Sequence, residues 1–164
     1  MKDDVNLFNA LSTEEAGRRL YSCFANRAWA ARVAVGRPYH DLTALLASAE
    51  SAWTELLPSD WLEAFAAHPR IGESGGNSPT SSQREQSQIR RASGDTLAAL
   101  AAENRLYEAR FGHVFLISAS GRSANDMLEA LRRRMRNDPA TELQVAAGEQ
   151  RKIARLRLEQ LLKT

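Results

Sequence analysis

At 164 residues the chain is long enough to bury a core as one domain, without disulfides or metals to staple it. Apolar residues make up 43% and charged residues 26%, an ordinary globular balance, and a net charge of +2 is too small to nominate a nucleic acid or a membrane surface as partner. The single cysteine, Cys23, rules out an intramolecular disulfide and reads as a reduced core thiol in an apolar helical pattern. No stretch approaches the ~20 apolar residues that span a bilayer. The opening Met1–Asn6 is acidic and polar rather than signal-like, and Leu161–Thr164 is not a peroxisomal ending, so a cytoplasmic protein is expected.

In chain order, Ser12-Thr13-Glu14-Glu15 reads as a capping box, followed by Ala16, Leu20 and Phe24 at four-residue spacing. A second helix runs from Asn26 to Val35, carries Trp29 and Val33, and stops at Gly36 with Pro38 just beyond. Asp41 caps a third, whose stripe is Leu42, Leu45, Leu46, Ala49, Trp53 and Leu56. Pro58-Ser59-Asp60 opens a short helix through Trp61–Ala67, with Leu62 and Phe65 expected on its buried face. Pro69 cannot continue that helix and biases His68 away from helical angles, so an imidazole stands where a helix stops and the loop Glu73–Pro79 begins. Ser81 or Ser82 starts a further helix toward Ile89. Asp95 is expected to cap a segment through Leu97, Leu100, Tyr107 and Phe111, closed by Gly112.

Val114-Phe115-Leu116-Ile117 has no second strand to pair with and reads as one short extended buried segment, near residues 114–118. Ser123 and Asp126 cap a helix through Met127, Leu128, Leu131 and Met135, and Asp138-Pro139 starts the last one, which runs to about Leu162. The expectation is an all-α, single-domain bundle of seven or eight helices spanning residues 1–164.

Three places carry chemistry. His68 sits where rigid scaffold meets loop, a usual position for catalytic side chains; the competing reading is an ordinary surface histidine at a helix end. Ser82, Glu85 and Gln86 stand at i, i+3 and i+4 and share one helix face. A carboxylate beside an imidazole fixes its tautomer and raises its basicity, although a Glu in a first helical turn is also favoured by the macrodipole alone. On the last helix, Leu143, Ala146, Ala147, Gln150, Ile153, Ala154, Leu158 and Leu161 fill one sector with Arg157 inside it, while Arg155 points the other way. A guanidinium in an apolar stripe is costly unless it is paired or holds an anion. Arg132-Arg133-Arg134-Met135-Arg136 is the one basic cluster and reads as a solvated face. His40, His68 and His113 are too scattered to suggest a metal site, and with no Walker, GxGxxG or CxxC motif the expected chemistry is cofactor-free.

Taken together, His68-Pro69-Arg70-Ile71-Gly72 with Ser82-x-x-Glu85-Gln86 resembles the 2-oxo-4-hydroxy-4-carboxy-5-ureidoimidazoline (OHCU) decarboxylases, which act last on the route from urate to (S)-allantoin. The likeness extends in collinear order through Arg27-Ala28-Trp29, Arg37-Pro38, Asn104-x-x-Tyr107-x-x-x-Phe111-Gly112, Gly121-Arg122-Ser123 and Glu149-x-x-Lys152-Ile153-x-x-x-Arg157-Leu158. The resemblance implies a cofactor-free, all-helical homodimer in which His68 is the acid–base residue, Glu85 lies alongside it and Arg157 meets the anionic substrate. It also implies substrate contacts from Pro69, Ser82 and Gln86, and from the backbone of Phe115, Leu116, Ile117, Ser118 and Ala119. Animal members often carry Cys where this chain has Ser118, so no role attaches to that side chain. Two other functions fit the residues: a helical interaction module using the 132–136 arginines, and a ring-opening or hydrolytic enzyme of purine breakdown.

Overall fold

The computed structural model describes residues 2–70 and 93–163. Those residues form eight helices and no strand: α1 Lys2–Ala10, α2 Thr13–Cys23, α3 Arg27–Val35, α4 Leu42–Thr54, α5 Pro58–Phe65, α6 Gly94–Phe111, α7 Ala124–Arg134 and α8 Pro139–Leu161. The expected all-α class holds. The expected helix from Ser81 or Ser82 to Ile89, the loop Glu73–Pro79, and the site residues Ser82, Glu85 and Gln86 lie outside the described residues. The chain groups into two compact units, Met1–Ala64 with Arg151–Thr164, and Phe65–Gln150.

In the first unit the caps are legible residue by residue. Asn26 accepts the Trp29 N–H at 2.9 Å and Asp41 accepts the Ala44 N–H at 2.8 Å. Ser12 accepts the Glu15 N–H, but Glu15 turns its carboxylate onto Arg18 and Arg19 instead of closing the expected box. The core forms around Trp29, whose ring meets Phe24 edge-on at 5.3 Å and whose indole N–H donates to the Ala49 carbonyl. Cys23, at 2% exposure, is the buried thiol expected. Helix α1 was not anticipated from the sequence. It exists because Val5 and Phe8, one turn apart, are buried, and because Arg37 reaches back to the carbonyls of Phe8 and Leu11 at 3.0 and 2.7 Å. One long side chain thereby satisfies the orphan carbonyls of a helix end.

Two details of the sequence reading need correction. Helix α5 ends at Phe65, not Ala67, and its buried residues are Ala64 and Phe65, while Leu62 is 43% exposed. Helix α6 is capped by Ser93, whose hydroxyl accepts the Thr96 N–H, and not by Asp95, which lies in the first turn.

The second unit is built on α6, α7 and the segment between them. Gly112 closes α6 at φ +79°, a left-handed angle that glycine adopts without a Cβ penalty. The next six residues, 114–119, belong to neither helix nor strand, and Phe115, Leu116, Ile117 and Ser118 are buried. Phe115 and Ile117 join Leu100, Tyr107, Met127 and Leu131 in one core cluster. Ser123 and Asp126 form a complete capping box that starts α7 cleanly.

Beneath that segment lies a charged group absent from the sequence reading. Glu142, fully buried, receives the Arg134 guanidinium (Nε to Oε2 2.9 Å, Nη2 to Oε2 2.8 Å), the Tyr107 hydroxyl at 2.5 Å and the Asn137 amide at 3.2 Å. Arg134 is therefore not part of a solvated face; it is 8% exposed and stacks over the Phe115 ring at 4.6 Å. Arg132, Arg133 and Arg136 are exposed as expected, with Arg132 paired to Glu103 at 2.8 Å. Removing one partner of a buried ion pair strands the other, typically at a cost of about 3–5 kcal/mol.

Burial, followed by the hydrogen bond to Glu142, pushes the Tyr107 phenol well above its ordinary value of 10.0. Below about pH 10 the phenol is neutral in both folded and unfolded chains, so its contribution to stability is complete; above that pH only the unfolded chain ionises, and stability drains away. Urea unfolding from pH 9 to 11 should therefore show an alkaline loss of stability that is smaller in Tyr107→Phe. Substituting Ser93 with alanine should cost about 1 kcal/mol of stability against a few tenths for Asp95→Ala. Equal losses would return the cap to Asp95.

Candidate active site

In the second unit, the turn that carries His68 is tied down on both sides. Phe65, 1% exposed, packs against the His113 ring at 5.3 Å, and the His68 N–H donates back to the Phe65 carbonyl at 3.1 Å. Two residues beyond His68, Arg70 donates to both carboxylate oxygens of Glu108 on α6, at 2.7 and 3.2 Å. His68 and Pro69 lie half-buried between these anchors. That is an intermediate exposure suited to a group that must both meet a small molecule and exchange a proton with water.

Phe65 and His68 lead by this packing to the segment that begins just past His113. Two of its carbonyls are held by arginines: Arg134 Nη1 donates to Leu116 O at 2.7 Å, and Arg122 Nη1 to Ser118 O at 2.9 Å and to Glu149 Oε1 at 2.6 Å. Among the described residues, the amides of Phe115, Leu116, Ile117, Ser118 and Ala119 meet no protein acceptor. Backbone donors without an acceptor are rare in a protein interior, and a ligand oxygen is one way of meeting them. Ser118 is 7% exposed and Ala119 half-buried.

In the first unit, the helical wheel is upheld. Arg157 is 5% exposed among buried Ile153, Ala154 and Leu158, whereas Arg155 is exposed and pairs with Glu159 at 3.2 Å. Sequence reasoning did not find Arg134, Glu142 and Glu149 as buried charges. The same wheel holds the signal: Arg134 falls seven residues after Met127 and three after Leu131, and Glu142 and Glu149 share the stripe of Ala146 and Ile153. Among the described residues, no group of three or more His, Cys, Asp or Glu side chains is placed to hold a metal ion, and no helix is long and apolar enough to cross a membrane.

Comparison with known proteins fits this arrangement. The sequence model of OHCU decarboxylase matches residues 9–159. The uric acid degradation bifunctional protein of Arabidopsis thaliana is 37% identical over 145 residues, covering 85% of this chain and 45% of its own. The mouse 2-oxo-4-hydroxy-4-carboxy-5-ureidoimidazoline decarboxylase is 41% identical over 83 residues, covering 49% of this chain and 47% of its own. The matched stretch thus spans less than half the length of either relative. A crystal structure of OHCU decarboxylase in the presence of (S)-allantoin superposes with a TM-score of 0.79 at 34% identity, covering 90% of this chain and 99% of that one. With the family's sequence pattern running through nearly every element described above, the chain belongs to the OHCU decarboxylase family.

Proposed function

We propose that the protein decarboxylates 2-oxo-4-hydroxy-4-carboxy-5-ureidoimidazoline to (S)-allantoin and CO2 in urate breakdown, without a cofactor. Beyond family membership, the observation that carries this reading is the run of N–H groups from Phe115 to Ala119 that meet no acceptor among the described residues, in a segment buried from Phe115 to Ser118, which suits a ligand rich in carbonyl and carboxylate oxygens.

The carbon that loses CO2 bears both a hydroxyl and the carboxylate, and an adjacent C=N bond accepts the electron pair released when the C–C bond breaks. That nitrogen takes a proton, the hydroxyl gives its proton up to become a carbonyl, and a proton is delivered to one face of the neighbouring ring carbon, which fixes the enantiomer. In this reading His68, oriented by Glu85, handles the hydroxyl proton and the delivery to carbon. Arg157 binds the anion, and Pro69, Ser82, Gln86 and the 115–119 amides orient the ureido and ring groups. Arg157 is 5% exposed in the apolar stripe of α8, where the helical wheel puts it. The reading extends to a homodimer, implied by the family resemblance, and to the cytoplasm, where the lone buried Cys23 stays reduced.

The test is to generate the intermediate with urate oxidase and hydroxyisourate hydrolase, add the protein, and follow the circular dichroism of the product. The wild type should accelerate appearance of a single enantiomer with release of CO2. His68→Ala should lose roughly 100-fold or more in rate with its far-UV spectrum unchanged. Arg157→Ala should mainly raise KM, and Arg155→Ala should be mild. Near-normal turnover by His68→Ala would refute the acid–base role, and a reversed ranking of the two arginines would move the anion site. Salt-dependent DNA binding with no effect on the intermediate would favour an interaction module instead, and product formation without CO2 release a hydrolytic enzyme.

A further inference from the structure

Two guanidinium groups hold alternate carbonyls of one buried segment, Arg134 on Leu116 and Arg122 on Ser118. Each is backed by a buried carboxylate of α8, Glu142 and Glu149, which stand seven residues apart and so lie two turns along one face of that helix. The peptide units concerned are trans, the Arg37-Pro38 bond being the cis one among the described residues. In a trans peptide the C=O and N–H of one unit point in opposite directions. The unit whose carbonyl meets Arg134 therefore aims the Ile117 N–H away from that arginine, and the unit whose carbonyl meets Arg122 aims the Ala119 N–H likewise. Neither N–H meets an acceptor among the described residues. A charge-assisted bond at a carbonyl also polarises its own peptide unit, making the N–H at the other end a stronger donor.

We propose that Arg134–Glu142 and Arg122–Glu149 are positioning pairs that fix and polarise the Ile117 and Ala119 N–H groups as a fixed donor pair for an acceptor oxygen of the bound ureidoimidazoline. This rests on the decarboxylase reading above. It adds that the donor strength of the segment is set by side chains that touch no substrate. A preorganised donor pair binds an acceptor oxygen without first being ordered, so loosening it weakens the binding of substrate and product alike.

Arg122 decides the matter, because its side chain is 34% exposed and its loss is less disruptive than that of Arg134. Arg122→Gln, Arg122→Lys and Arg134→Lys are compared with wild type for kcat, KM and the calorimetric Kd of (S)-allantoin, with far-UV dichroism and melting as the check on folding. The expected result is a folded Arg122→Gln whose KM and (S)-allantoin Kd rise together roughly tenfold while kcat falls less, with Arg122→Lys recovering part of the loss. A melting temperature that falls while KM and Kd stay at wild-type values in both Arg122→Gln and Arg134→Lys makes the pairs purely structural and overturns the proposal. A wild type with no effect on the ureidoimidazoline overturns the decarboxylase reading and this proposal with it; an active wild type beside unaffected variants overturns the positioning role alone.

Discussion

The second unit depends on a charge that has no route to water. Glu142 is fully buried, and an ionised carboxylate there is tolerable only because Arg134, Tyr107 and Asn137 surround it with donors. Meeting that demand fixes more than the pair itself. Arg134 must leave α7 toward the interior, where its Nη1 reaches the Leu116 carbonyl and its plane covers Phe115. Tyr107 must stay neutral to donate, and its ring holds Phe115 edge-on at 5.2 Å and Phe111 at 4.7 Å. A single carboxylate thus orders α6, α7, the start of α8 and the segment between helices that family resemblance assigns to substrate.

That segment is unusual in how its hydrogen bonds are divided. Its carbonyls at 116 and 118 go to side chains, and its amides go to no described protein group. In a helix or a sheet both sets would be consumed by the backbone, leaving nothing to offer a ligand. A non-regular segment held by arginines at two carbonyls leaves its amides available, and Phe115 and Ile117 anchor it in the core.

How much was legible beforehand follows from how local the signal is. Caps at Asp41 and Ser123, the stop at Gly112 and the extended run after it depend on a few adjacent residues, and the sequence shows them. Arg157 was placed correctly because one helix wheel sufficed. Helix α1 was missed because what stabilises it, Arg37, is supplied 26 to 29 residues later. Arg134 was misread as solvated because its acceptance into the core depends on Glu142 and on Tyr107, whose hydroxyl reaches that carboxylate from 35 residues away. Leu62 is exposed against expectation because the helix is only eight residues long, and a shift of one residue in its assumed phase turns every side chain by about 100°. The roles of His68, Glu85 and Arg157 came from resemblance, and a half-buried His68 on an anchored turn is consistent with its part.

If the backbone between Phe115 and Ala119 receives the ligand, titrating the isotopically labelled protein with (S)-allantoin and following each backbone amide by NMR should give saturable shifts largest at the Ile117 and Ala119 amides, at one common dissociation constant. Saturable binding that leaves those amides in place while others move would contradict that reading.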